Sequence, residues 1–141
     1  MDPFKPEFGQ ILGFCVINVL SVSNIGNRTA LTKFRLSNHS LMIEKGRYTN
    51  IQLCDRSCPF CTNKVESEFH FLIQCPIYSE LRREMFDAIT TTVQGFYYPT
   101  DEQFLFWFLL RNPLIANFTG NFIRLSMELR AFLLENPRNL H

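Results

Sequence analysis

The sequence predicts a mainly α-helical fold, in which amphipathic helices flank a small module rich in cysteine and histidine and a helical hairpin forms the C-terminal end. Two stretches predict the helices, because apolar residues recur every three or four positions along 77–93 and 114–135, as on the buried face of a helix. The module is predicted by four side chains of metal-ligand type within eighteen positions. These are Cys58, Cys61, His70 and Cys75.

Composition sets the class of protein. A chain of 141 residues suits one domain, or a small module with a helical extension. Fifteen phenylalanines and a hydrophobic fraction of 46% favour a packed protein over a disordered one. The five cysteines are an odd number, which favours a reducing compartment. We therefore expect an intracellular protein, in the nucleus or cytoplasm, rather than a secreted one.

Residues 1–26 are predicted to be an apolar N-terminal segment. Its apolar run from Ile11 to Val22 is shorter than the roughly 20 residues that cross a bilayer. Its start lacks the net positive charge of a signal peptide. Cys15 lies in this run and is expected in a buried strand or short helix, unless the segment is not part of the domain. Turn-forming residues at 23–27 mark the boundary.

Residues 27–93 are predicted to hold a basic helix followed by the metal module, the segment that carries Cys58, Cys61, His70 and Cys75. From Arg28 onwards, the pattern indicates an amphipathic helix whose polar side is basic. Four polar residues then end this helix, and His39 among them is expected to be a turn or capping residue. The segment Lys45–Tyr48 is predicted to form a turn that exposes two cations and an aromatic ring.

The spacing of the four ligand types predicts a structural zinc site. A CxxC turn presents the thiolates of Cys58 and Cys61 to one ion. His70 and Cys75 can then complete a tetrahedron of soft and borderline ligands. The five-residue step between these two fits one helical turn that carries His70, with Cys75 just past its end, because Pro76 can begin the next helix. Four protein ligands leave no open position for catalysis.

Other roles for these residues stay open. Two of the thiols could form a disulfide, or all could be small buried hydrophobes, and a histidine in an apolar run is often a core residue. Cys54 could compete as a ligand or be a bystander. Glu66 lies four residues before His70 and could accept the second imidazole N–H. Alternatively, Glu66 and Glu68 complement the positive end of a helix dipole.

Three further helices are predicted after Cys75, the last two of them within residues 94–141. The first runs from Pro76 to about Thr92 and buries a stripe of Ile77, Leu81, Met85, Ile89 and Val93. A capping box at Thr100 and Gln103 begins the second, which ends before Pro113. The third runs from Leu114 to Glu135. We expect the last two helices to fold back on the module as a hairpin, with a dimer seam as the alternative.

Positive charge is concentrated around the metal segment. Residues 27–83 carry nine Lys or Arg against five acids, a net charge of +4, while the rest of the chain carries −3. A polyanion could bind there, and a merely solvated surface is the alternative. The cations expected to contact phosphates are Arg28, Lys33, Arg35, Lys45, Arg47, Arg56 and Lys64. Phe60, at the tip of the CxxC turn, could stack on an unpaired base or cover the metal.

A longer pattern extends from Leu31 to Arg82. It comprises Leu31-Thr32-Lys33-Phe34-Arg35, His39, Ile43-Glu44-Lys45-Gly46-Arg47-Tyr48, Cys58-Pro59-Phe60-Cys61, His70-Phe71-Leu72, Cys75-Pro76-Ile77-Tyr78 and Leu81-Arg82. This pattern resembles the zinc-binding region that follows the reverse transcriptase domain of non-LTR (LINE-type) retrotransposons. The resemblance implies that the three cysteines and the histidine bind zinc, and that the region holds template RNA or target DNA beside a polymerase.

The chain also departs from that family. No two aspartates are adjacent, so the paired-aspartate box of the polymerase is missing, and no endonuclease portion is visible. The resemblance therefore implies a non-catalytic remnant that binds RNA or DNA, either single-stranded or at a template–target junction. The competing hypothesis is a zinc-stabilised module for protein–protein interaction, or for homodimerisation through the C-terminal helices. We expect no enzymatic activity, no small-molecule substrate and no membrane contact.

Overall fold

The structure, a computed structural model, describes residues 24–140. The predicted strand or helix around Cys15, and the place of that segment in the domain, lie outside the described residues. Within them, five α-helices follow one another along the chain. They are α1 (Ile25–Arg35), α2 (Met42–Tyr48), α3 (Ser79–Thr92), α4 (Glu102–Arg111) and α5 (Ala116–Glu135).

Short helical turns and one bridge connect these helices. The 3₁₀ turns are Leu53–Asp55, Pro76–Tyr78, Pro113–Ile115 and Pro137–Leu140, and one π-helical turn spans His70–Gln74. Between residues 24 and 140 there is no β-strand, and Ser57 and Val65 form a single antiparallel bridge. The predicted fold class is confirmed: a mainly α chain with a Cys3His group between amphipathic helices and a helical hairpin, α4 and α5, at its C-terminal end.

Helix α5 is the element on which α1, α3 and α4 pack. Helix α1 crosses α5 at Gly120, where an added Cβ would lie 2.5 Å from the backbone oxygen of Asn27. The close approach of the two backbones therefore requires glycine at this position. Asn27 is buried there, and its side chain donates to Asn117 Oδ1 at 3.0 Å and accepts from Arg124 Nε at 2.9 Å.

One aromatic core joins the metal module to the hairpin. The ring of Phe71, in the π turn, lies 4.7 Å from the ring of Tyr78 and 5.9 Å from that of Phe122 on α5, measured between centroids. Phe69 meets Phe106 of α4 in the same way at 5.6 Å. The hairpin thus packs on the module within the chain, through the ring contacts of Phe69 and Phe71. The domain division at residues 26/27 and 93/94 stays a prediction.

Several element boundaries differ from those predicted. The helix expected from Pro76 begins as a 3₁₀ turn at Pro76–Tyr78, and α3 follows from Ser79. Residues 45–48 are the last part of α2 rather than a turn. Helix α4 is capped by Asp101, whose carboxylate accepts from the backbone N–H of Phe104 at 2.8 Å, and not by a box at Thr100. Helix α5 begins at Ala116, because a 3₁₀ turn at Pro113–Ile115 precedes it. None of the helices between residues 24 and 140 combines the length and apolarity needed to cross a bilayer.

Candidate metal centre

Four side chains converge beside the core. One ligand atom from each of Cys58, Cys61, His70 and Cys75 lies within 4.8 Å of the others. Cys58, His70 and Cys75 are buried, and Cys61 is half-buried. Cys54, the extra thiol upstream, is exposed on the 3₁₀ turn and lies outside this group. The four residues singled out by their spacing in the sequence are therefore the four that the fold brings together.

A tight loop presents the two cysteines of the CxxC turn. The backbone N–H of Cys58 donates to the oxygen of Lys64 at 2.8 Å, and that of Glu66 donates to the oxygen of Arg56 at 2.9 Å. Asn63 takes a left-handed conformation with a φ of 58°, which asparagine tolerates better than most residues. The loop thereby closes on itself and directs both thiols to one side.

The π turn explains how His70 and Cys75 reach the same point. In an α-helix, residues five apart lie about 140° apart around the axis, so their side chains cannot bind the same ion. Here the backbone N–H of Cys75 donates to the oxygen of His70 at 2.7 Å, which is the wider hydrogen bond of a π turn. Ser67 Oγ accepts from the N–H of His70 at 3.1 Å and caps the turn. The sequence predicted a helical turn here, but not its π geometry.

The distances between the sulfurs fit a tetrahedral metal. Cys75 Sγ lies 3.9 Å from Cys58 Sγ and 3.7 Å from Cys61 Sγ. With Zn–S bonds of about 2.3 Å, sulfurs on two corners of a tetrahedron stand about 3.8 Å apart. A disulfide requires about 2.05 Å, and these cysteines are free thiols. The spacing is therefore that of ligands around one ion rather than that of a covalent pair.

The imidazole of His70 points to the same conclusion. His70 is buried, and neither of its ring nitrogens has a hydrogen-bond partner among residues 24–140. Buried side-chain nitrogens are rarely left in this state, because losing water without a replacement partner costs free energy. A metal ion at the centre of the three sulfurs would satisfy one nitrogen. The donor set and this unpartnered ring thus fit a bound metal.

Without an ion, the three thiols are electrostatically unequal. A hydrogen bond from the Cys75 thiol lowers the pKa of Cys58 to about 5, whereas the same contact raises the pKa of Cys75. Burial raises the pKa of Cys61. A divalent cation would displace the protons of the thiols that it binds, because thiolates are the metal ligands.

Arg82 supports the turn that carries two of the ligands. Its guanidinium donates to the backbone oxygens of Leu72 at 2.8 Å, Cys75 at 3.0 Å and Phe71 at 3.2 Å. Burial lowers the pKa of Arg82. The apolar stripe predicted for the helix from Pro76 does not include Arg82. Its position in the first turn of α3 was the available signal, because helical side chains tilt towards the N-terminus and so towards the preceding turn.

The carboxylate of Glu66 forms no hydrogen bond with His70 in the described chain, although the sequence left such a bond as one possibility. Its Oε1 accepts from the N–H of Met42 at 2.9 Å and from Arg130 Nη2 at 2.7 Å. Both partners of the ion pair are buried, and burial raises the pKa of Glu66 although Arg130 opposes the shift. This pair ties the module to α5 across 64 positions of sequence. No local pattern could have indicated it.

Glu68 likewise turns away from the metal centre. It accepts from His39 Nε2 at 2.9 Å and from Ser37 Oγ at 3.3 Å. Although burial opposes the shift, these hydrogen bonds hold the pKa of Glu68 below its usual value. His39 is buried and holds the loop after α1 against the metal module, which is consistent with the expected structural role.

The residues expected to bind nucleic acid fall into two groups. Lys33, Lys45 and Lys64 are exposed, Arg28 is half-buried, and these four form no ion pair within residues 24–140. The others have structural contacts or buried atoms. Arg56 donates to the oxygens of Ile51 and Ile43, Arg47 pairs with Glu44 at 3.1 Å, the terminal nitrogens of Arg35 are buried, and Phe60 packs edge-on against Tyr78.

Comparisons with protein-family models, with curated proteins and with solved structures find no match for this chain. The site is thus defined by its own geometry. Three sulfurs at tetrahedral spacing and one unpartnered imidazole form a closed Cys3His group that could hold a metal ion.

Proposed function

We propose that this chain is a non-catalytic zinc-binding module that binds RNA or DNA, and that Cys58, Cys61, His70 and Cys75 hold one structural Zn²⁺. The observation that carries the metal assignment is the tetrahedral spacing of the sulfurs around Cys75. Thiolate and imidazole ligands favour Zn²⁺, whereas Mg²⁺ and Ca²⁺ prefer oxygen. Four protein ligands saturate the ion, so it builds the fold and has no position for substrate.

The nucleic-acid assignment is supported by the exposed cations. Lys33, Lys45 and Lys64 are exposed, and none of them forms an ion pair with a carboxylate among residues 24–140. Unpaired surface cations can bind phosphates and release counterions, which makes the affinity strongly dependent on salt. Three thiolates and Zn²⁺ carry a net charge of −1, so these side chains, and not the metal, would contact the polyanion. The resemblance to the zinc-binding region of LINE-type reverse transcriptases supports the same proposal, including descent from such an element.

Zinc stoichiometry and a salt-dependent binding assay test this proposal together. The purified chain should contain about one zinc and should shift single-stranded RNA or DNA in a gel at low salt. Replacing Lys33→Glu and Lys64→Glu together should lower the affinity about tenfold or more and reduce the salt dependence. Arg83→Glu is the control, because Arg83 is also exposed but is paired with Glu80. A chain that holds zinc but binds no oligonucleotide at any salt would overturn the nucleic-acid assignment.

A protein-interaction function is the second candidate, favoured by an apolar groove on the hairpin. The groove has a volume of about 510 Å³. Its lining residues are Phe104, Trp107, Phe108 and Arg111 of α4 and, directly after it, Asn112, Pro113 and Leu114. Leu114 is 73% exposed and Phe104 is 39% exposed. Exposed apolar surface of this kind often marks an interaction site. If the groove mediates homodimerisation, Leu114→Glu should abolish concentration-dependent association in sedimentation equilibrium without loss of zinc.

A further inference from the structure

A second groove, which we call the α2 groove, lies beside the metal loop. It has a volume of about 470 Å³, and its walls include Met42, Lys45 and Tyr48 of α2, Pro59 of the CxxC turn, and Arg130 and Leu134 of α5. No acidic side chain lines it. Pro59 directly follows Cys58, so the loop that carries Cys58 and Cys61 forms one wall of the groove.

Tyr48 gives this groove an available aromatic face. It is 84% exposed, and its ring contacts no other aromatic ring among residues 24–140. Phe60, the aromatic residue expected from the sequence to stack on a base, is instead half-buried against Tyr78. Bases of a single strand stack on exposed aromatic rings, and loss of such a ring lowers affinity roughly 5- to 150-fold.

Lys45 gives the same surface a positive charge. It precedes Tyr48 by three positions on α2, so the two side chains share one face of the helix. Lys45 is exposed and forms no ion pair in the described part of the chain. An aromatic ring and an unpaired cation on one helix face can contact the base and the phosphate of one nucleotide.

Arg130 adds a hydrogen-bond donor from the interior. It is 6% exposed, yet it lines the groove. Its Nε and Nη2 donate to Glu66, while its Nη1 makes no hydrogen bond with any residue between 24 and 140. Nη1 is therefore free to donate to an acceptor in the groove. Because Glu66 neutralises the guanidinium, Arg130 suits a neutral acceptor, such as a base carbonyl, better than a phosphate.

We propose that the α2 groove binds one unpaired nucleotide of a single strand, with its base stacked on Tyr48 and its phosphate on Lys45. This inference rests on the proposed nucleic-acid function and names the site and the form of the ligand. A duplex fits the groove less well, since its bases are already stacked on one another. The same surface would discriminate single strands from duplexes by the accessibility of a base face, not by sequence.

Fluorescence anisotropy with the zinc-loaded chain tests the proposal. The probes are a short labelled oligonucleotide, as RNA and as DNA, and the matching duplexes. Tyr48→Ala should weaken single-strand binding roughly 5- to 150-fold and leave the salt dependence unchanged. Lys45→Gln should reduce the slope of log K against log salt by about 0.7. Tyr48→Trp should retain binding, and its fluorescence should be quenched by the stacked base.

Tyr97→Ala is the matched control, because Tyr97 is 89% exposed and lies in the connection between α3 and α4. Zinc content and circular dichroism establish that each variant is folded. If the wild-type chain binds single strands and Tyr48→Ala binds them equally well, the groove assignment is overturned and the proposed function stands. If duplexes bind as tightly as single strands, the groove is also overturned. If the wild type binds neither, the proposed function fails and this inference fails with it.

Discussion

At the residue scale, His70 connects the sequence pattern to a metal most directly. Its buried ring has no hydrogen-bond partner within the described chain, although its neighbours in the fold include three sulfurs at tetrahedral spacing. Histidines that merely fill a core are normally hydrogen-bonded. The unpartnered ring therefore favours the role of a metal ligand over that of a core residue, which the sequence alone left as alternatives.

Removing one ligand is expected to abolish metal binding. Cys58→Ser or His70→Ala should reduce the zinc content from about one ion per chain towards none, because three ligands hold the ion far less tightly than four. Inductively coupled plasma mass spectrometry of the purified variants measures this. Cys54→Ser is the control, since Cys54 is exposed and outside the group. Loss of zinc from Cys54→Ser as well would show that the ligand set is misassigned.

Breaking the buried ion pair is expected to destabilise the fold. Arg130→Ala leaves Glu66 buried without its partner, which typically costs about 3–5 kcal/mol in the free energy of unfolding. Chemical denaturation at neutral pH measures the change. Arg83→Ala, which breaks an exposed pair, should have no measurable effect. The double variant Glu66→Gln with Arg130→Met should be more stable than Arg130→Ala, because no buried charge remains; equal stability would argue against this explanation.

The residue scale also shows what a sequence can and cannot predict. The four ligands were predictable because their chemistry and spacing are local, within residues 58–75. The contact between Glu66 and Arg130 was not, since it joins residues 64 positions apart and depends on how α5 packs. The local expectation that Glu66 faces His70 failed for the same reason. The carboxylate of Glu66 accepts hydrogen bonds from Arg130 of α5 instead.

At the element scale, the π turn positions two of the four ligand side chains, and the crossing of α1 over α5 sets the packing of the helices. The π turn moves Cys75 back towards His70, which an α-helix of the same length could not do. The five-residue step in the sequence indicated an irregular end to this turn, but helix periodicity does not distinguish a π turn from an α turn.

Helix α2 was missed because Gly46 and its polar neighbours suggest a turn. Arg56 packs over Gly46, where an added Cβ would lie 2.5 Å from its side chain.

Substitution at the helix crossing tests this packing. Gly120→Ala raises the intrinsic helix propensity of α5 by about 1 kcal/mol. The new methyl group, however, would lie 2.5 Å from the backbone oxygen of Asn27, which cannot move aside cheaply. We expect a net destabilisation of about 1–3 kcal/mol, measured by thermal or urea unfolding. Gly26→Ala should be milder, because its methyl group would meet side-chain atoms and no backbone, Arg124 Cδ at 3.1 Å and Asn24 Oδ1 at 3.3 Å. Stabilisation by Gly120→Ala would contradict the tight crossing.

At the scale of the whole molecule, the metal module and the hairpin share one core. Phe71 of the π turn contacts Tyr78 and Phe122, and Arg130 reaches from α5 to Glu66. The fold class and the hairpin were predictable, because apolar periodicity is strong in residues 77–93 and 114–135. How tightly the two parts are joined was not, since the joining residues lie far apart in the chain and have no pattern in common.

Chelation of the metal is therefore expected to affect the entire fold. Structural zinc contributes roughly 10–16 kcal/mol in small zinc-finger peptides, comparable to or larger than the stability of a domain. A chelator should cause loss of helical circular dichroism in one transition. Helices α4 and α5 should lose their protection from hydrogen exchange together with the module. Hydrogen exchange resolved by segment measures this. Protection that persists in residues 102–135 after chelation would mean that the hairpin is stable without the module.

The unequal exposure of the four ligands has a consequence for metal exchange. Cys58, His70 and Cys75 are enclosed by the core, while Cys61 alone is half-buried and sits beside the loop closed by Asn63. An incoming chelator or oxidant would meet Cys61 before any other ligand. The lifetime of a bound ion would then depend on how often this short loop opens. One metal ion could replace another after Cys61 alone is released, while the helices stay folded.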